Sequence, residues 1–73
     1  MAQVKVRAEV TGKVWKLLAP PGTRVDADAP LMIVESMKME IPVSCEEDST
    51  VVELLVGEGD AVEDGQVVAI VET

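Results

Sequence analysis

The chain has 73 residues, a net charge of −8, one cysteine, no histidine and one aromatic side chain, Trp15. It is one small domain, 1–73, with a modest core and no disulfide framework; the lone Cys45 reads as a small, partly buried strand residue in a reducing cytosol. The acidic balance excludes DNA and anionic membranes as partners, and one aromatic among six basic residues offers no stacking platform for single-stranded nucleic acid.

Met1 is not followed by a charged segment and an apolar one, and no apolar run approaches the roughly 20 residues of a membrane span. A cytoplasmic protein is therefore expected. The charge is uneven. Residues 1–24 hold five of the six basic side chains and one acid, Glu9, whereas residues 25–73 hold thirteen acids and a single base, Lys38.

Gln3–Val10 alternates strictly, with Val4, Val6, Ala8 and Val10 on one side and Gln3, Lys5, Arg7 and Glu9 on the other. Period two with one apolar face predicts a half-buried strand. From there the chain repeats itself at an offset of 37 residues: Val14, Leu17, Leu18, Gly22, Val25, Ile33, Val34 and Glu35 recur as Val51, Leu54, Leu55, Gly59, Val62, Ile70, Val71 and Glu72, without a gap. Each copy is one structural unit, and two copies predict a two-fold pair rather than a solenoid.

The first copy reads as a strand at Val14–Leu18, a turn at Pro20-Pro21-Gly22, a short extended piece around Val25, a turn at Asp26–Ala29 and a strand at Leu31–Ser36. The second reads as Val51–Val56, Gly57-Glu58-Gly59, Val62, Glu63–Gln66 and Val67–Glu72. Between them, Met39–Cys45 is the counterpart of the first strand. Pro42 cannot donate to a ladder, so that strand belongs at a sheet edge. No segment has helical spacing with a cap. The fold predicted is all-β: short antiparallel strands closing into a small sandwich or flattened barrel.

Met37 and Lys38 remain as the connection between two strands. A two-residue hairpin loop prefers types I′ and II′, which need positive φ, and neither residue adopts it cheaply. Such strain clusters at functional sites. Met1 lies 37 residues before Lys38, and the chain ends before the equivalent position of the second copy, so the two-fold mate of this turn is the pair of chain ends. The lysine is expected at one pole and the termini at the other. A lysine used by its own protein as a nucleophile is desolvated in a pocket. A hairpin tip has none, so Lys38 is expected to be an exposed amine that another enzyme acylates.

The segment Glu35-Ser36-Met37-Lys38-Met39-Glu40-Ile41-Pro42-Val43 resembles the attachment site of biotinyl domains. Nearly the whole chain is similar to a biotin carboxyl carrier of the biotin/lipoyl attachment family, in the free-standing bacterial form. No insertion of the protruding-thumb kind is visible, which implies the thumbless subtype. The resemblance implies the hammerhead form of the flattened barrel, with the modified lysine on its tight hairpin. Lys38 would become biotinyl-lysine. Met37 and Met39 would set the turn and the contact surface, and Glu35, Ser36 and Glu40 would take part in recognition by a biotin protein ligase.

The partners implied are that ligase, a biotin carboxylase and a carboxyltransferase, with covalent biotin as cofactor and a monomer when isolated. Lipoyl domains share the fold but usually place Asp before the lysine, where this chain has Met37. A lipoyl carrier and an unmodified interaction module are the alternatives. An enzyme is not expected, because there is no metal-ligand cluster, no Gly-rich phosphate loop and no base for Cys45.

Overall fold

The valines at every second position form the strands, and the Gly, Pro and Asp residues between them form the turns. The computed structural model describes residues 2–73; Met1, the first residue of the expected 1–73 domain, lies outside them. Eight strands and no helix occur among the described residues: β1 Gln3–Arg7, β2 Gly12–Leu17, β3 Arg24–Val25, β4 Pro30–Ser36, β5 Met39–Ser44, β6 Ser49–Leu54, β7 Ala61–Val62 and β8 Val67–Glu72. They form two antiparallel four-stranded sheets, ordered β1-β8-β6-β3 and β5-β4-β2-β7. The body measures 35 × 17 × 17 Å.

The duplication is visible bond by bond. Gly22 N–H donates to Val51 O at 2.7 Å, and Gly59 N–H donates to Val14 O at 2.7 Å. β3 of the first copy pairs with β6 of the second, and β7 of the second pairs with β2 of the first. Each copy thus gives its short strand to the other copy's sheet, so neither half can complete its sheet alone. Val14, Leu31, Met32 and Val34 of one sheet are buried against Val51, Val68, Ala69 and Val71 of the other.

The expected strands appear with small shifts at their ends. Burial alternates through Val10 as predicted, but the β1 ladder stops at Arg7. The register slips between Val6 and Arg7, and Ala8 turns its N–H to Gln66 O (2.9 Å) and its carbonyl to Gly65 N (2.8 Å). Both turns of each copy form. Pro20–Thr23 and Gly57–Asp60 close with the glycine third, at φ +91° in each, as a type II turn needs. Asp26–Ala29 and Glu63–Gln66 close alike, with Asp28 at φ +64° where the second copy has Gly65 at +88°. Asp tolerates this region better than most residues, so the unlike sequences make like turns. Pro42 lies on β5, an edge strand.

Candidate functional site: the Met37–Lys38 turn

β4 and β5 pair without irregularity up to the turn, Glu35 opposite Glu40 and Ser36 opposite Met39, leaving Met37 and Lys38 as the loop. Their φ angles are +49° and +68°. Both residues are left-handed, as a type I′ hairpin requires, at a cost of about 1–2 kcal/mol each for side chains of this kind.

Strain of this kind persists only where the surroundings over-determine it. Three contacts do so. β4 is held on both sides, by β5 and β2. The half-buried Ser36 donates its hydroxyl to Thr11 O at 2.7 Å. Gly12 presses its backbone so close to the Glu35 carbonyl that a Cβ on it would overlap that oxygen. Thr11 Oγ1 in turn accepts the Asp64 N–H at 3.1 Å, joining the base of the hairpin to a turn of the second copy. The sequence analysis did not single out Thr11 or Gly12. The available signal was their mismatch in the repeat, where the second copy has Asp48 and Ser49.

The same contacts fix where the turn lies. Ser36 reaches Thr11, Thr11 reaches Asp64, and Asp64 adjoins the start of β8. The chain ends meet where β8 finishes, with Ala2 N–H donating to Thr73 O at 3.1 Å and Thr73 N–H to Ala2 O at 2.8 Å. A six-residue strand separates the two places, about 20 Å. The lysine turn and the termini occupy opposite poles.

The six residues singled out in the sequence sit together here. Met37 is 93% exposed and Met39 63%. Lys38, Glu35 and Glu40 are exposed. Glu35 faces Glu40 across one ladder and Lys13 across the other, so a like-charge pair is offset by a cation on the same row. The result is a primary amine on a fixed, exposed tip, between two carboxylates and two apolar side chains. A groove of about 520 Å³, open to solvent, lies on the flank among Val6, Arg7, Ser44 and Cys45. Among the described residues no set of His, Cys, Asp and Glu is arranged to hold a metal, and no helix is long and apolar enough to cross a membrane. A tip of this kind can be modified by another enzyme.

Residues 5–71 match the biotin/lipoyl family described as "Biotin-requiring enzyme". The chain belongs to the biotin/lipoyl attachment family. It is 36% identical over 62 residues to the biotin/lipoyl attachment protein of Bacillus subtilis, covering 85% of each chain. It is 35% identical over 68 residues to urea amidolyase of Saccharomyces cerevisiae, covering 93% of this chain but 4% of that protein. Urea carboxylase of Kluyveromyces lactis superposes with a TM-score of 0.92 at 33% identity, over 99% of this chain and 6% of that one. Attachment domains of this family thus occur both as proteins of about this length and as a small part of carboxylases, and this chain resembles those carrier domains.

Proposed function

We propose that Lys38 is the acceptor of a covalent biotin, and that the domain carries carboxylate between the active sites of a biotin-dependent carboxylase. The observation that supports this is the exposed Lys38 on a strained two-residue turn, at the pole opposite the chain ends. Strain kept at an exposed tip, where it adds nothing to packing, is best explained by presentation.

In this reading a biotin protein ligase supplies an activated biotinyl-adenylate. The Lys38 ε-amine attacks its acyl carbonyl, an amide C–N bond forms, the acyl–phosphate bond breaks, and AMP and the amine proton leave. Met37 and Met39 set the turn and its contact surface, while Glu35, Ser36 and Glu40 complete what the ligase reads. Once attached, biotin would supply carboxylate transfer between a biotin carboxylase and a carboxyltransferase. The protein's share is presentation: the amine points into solvent, and a tether raises the effective concentration of its load at both partners. The domain, residues 1–73, is then non-catalytic, monomeric when isolated and at work in the cytoplasm.

Lipoate is the second reading, favoured by the family's shared name and that of the Bacillus subtilis relative. Met37 in the place where lipoyl domains usually have Asp favours biotin. Intact mass and tryptic mass spectrometry of protein from its native cell decide between them. One biotinyl group on the peptide holding Lys38 is expected. Lys38→Arg keeps the charge and removes the nucleophile, so it should abolish the adduct and the streptavidin signal. An adduct that persists in this variant refutes the site, and a lipoyl mass refutes the cofactor.

A further inference from the structure

The turn at Met37 and Lys38 separates two halves that complete each other. Among the described residues six ladders make up the two sheets, and two of them lie within a half, β2 with β4 and β6 with β8. The other four, β1 with β8, β2 with β7, β3 with β6 and β4 with β5, join residues 2–36 to residues 39–73. The core follows the same division, since Val14, Leu31, Met32 and Val34 of the first half are buried with Val51, Val68, Ala69 and Val71 of the second. The backbone connection between the halves is the two-residue turn. At the opposite pole Ala2 and Thr73 meet through hydrogen bonds, which form equally well between two chains. A half from a second copy of the chain therefore offers the same strands and the same buried side chains.

The register of the hairpin fits the exchange. From Met32 with Val43 to Ser36 with Met39 the partners advance one for one, with no shift. When the turn straightens, the same register runs on between two chains: Met37 of one copy falls opposite Lys38 of the other. No bulge or extra residue is needed, and β4 and β5 of each chain become one strand from Pro30 to Ser44. The space ahead of the turn is open, with Met37 93% exposed and Lys38 and Met39 exposed beside it. Straightening also releases the left-handed φ angles of +49° and +68° into extended values that Met and Lys adopt freely. A short hinge under strain favours exchange of identical parts between copies. We propose that the chain forms a dimer by exchanging halves about Met37-Lys38, residues 2–36 of each copy completing a barrel with residues 39–73 of the other. Four ladders must open before halves can trade, so the dimer forms as concentrated chains fold and interconverts slowly with the monomer. In the dimer Lys38 lies within a strand between two barrels, and its turn is gone. Resting on the acylation proposed above, exchange thereby withdraws the acceptor from the ligase.

The test unfolds the full chain in guanidinium chloride and refolds it over a series of concentrations, with mass read by light scattering after separation by size. Monomer is expected from dilute refolding and dimer from concentrated refolding. Glu35 and Glu40 face each other across the hairpin, so the variant E35C/E40C/C45S reports which chain supplies each strand. Its disulfides should join two chains in the dimer and close within one chain in the monomer, as seen on a non-reducing gel. M37N/K38G makes a turn that accepts left-handed φ without strain, so the concentration giving half dimer should rise about a hundredfold or more. The isolated parent dimer, given ligase, ATP and biotin, should be acylated at least about tenfold more slowly than the monomer. A parent chain that refolds as monomer at every concentration overturns the exchange. So does a dimer whose disulfides stay within each chain, or an equal dimer yield from M37N/K38G. Equal acylation of monomer and dimer overturns the withdrawal of Lys38. Failure of both forms to be acylated overturns the carrier reading and leaves the exchange standing.

Discussion

At one pole of the barrel β4 and β5 are joined by Met37 and Lys38. At the other, the equivalent strands β8 and β1 are not joined, and Thr73 and Ala2 simply pair through two backbone hydrogen bonds. The open pole is relaxed, since its strands can meet at the angle the ladder prefers. The closed pole holds two left-handed residues that are neither Gly nor Asn. The supports beneath the two poles differ in the same sense. Ser36 ties the closed pole to Thr11, whereas its counterpart Thr73 turns back to Ala2 O at 3.4 Å. Gly12 lets β2 press against Glu35, whereas its counterpart Ser49 carries a buried hydroxyl without a hydrogen-bond partner among the described residues. Thr11 and Asp48 do the same work at one point only: each accepts a backbone N–H of the other copy's turn, from Asp64 at 3.1 Å and from Ala27 at 2.7 Å. The duplication supplies a symmetric frame, and its departures from symmetry gather under the lysine.

The comparison is tested most severely at Gly12. Gly12→Ala should cost about 1–3 kcal/mol through overlap with the Glu35 carbonyl, lowering Tm by roughly 4–8 °C per kcal/mol. An unchanged Tm would mean that the close approach does not hold the hairpin. Ser36→Ala removes one bond and should cost about 0.5–1.5 kcal/mol, with acylation slowed as the hairpin loosens. Equal rates for this variant and the parent would restrict Ser36 to a structural part. Met37→Asn acts in the opposite direction on stability. Asn accepts a left-handed φ, and Met37, at 93% exposure, loses little packing, so chemical denaturation should show a gain of up to about 1 kcal/mol. Ligase turnover should fall in that variant, because the methionine is part of what is read. A stability loss would show that the turn is not strained. The smallest effect belongs to the relaxed half: Ser49→Ala deletes the unpartnered hydroxyl and should leave stability unchanged or raise it by under about 1 kcal/mol.

Much of this was legible in the chain. The offset of 37 residues placed every strand to within a few residues, since alternation and turn chemistry are local. Pro42 pointed to an edge, and Met37-Lys38 pointed to positive φ, because each residue type limits its own backbone. The β2 strand was read as starting at Val14 and in fact begins at Gly12, whose place in the ladder depends on β7, 50 residues further on. The bulges at Trp15 and Val52 were not read at all: Lys13-Val14-Trp15-Lys16-Leu17 breaks alternation at a point that only the partner strand β4 defines.

Local preference for turn and strand, written twice, thus determined from the amino acids alone where the chain bends, which faces are apolar and that a lysine occupies the central tip. Tertiary structure decided the rest: which copy each short strand joins, how Thr11, Gly12 and Ser36 brace the turn, and that Trp15 shares a face with Lys13 and Lys16. Those relations join residues from about 20 to 50 positions apart. Their energies come from contacts that exist only after both sheets have closed, so no local pattern records them.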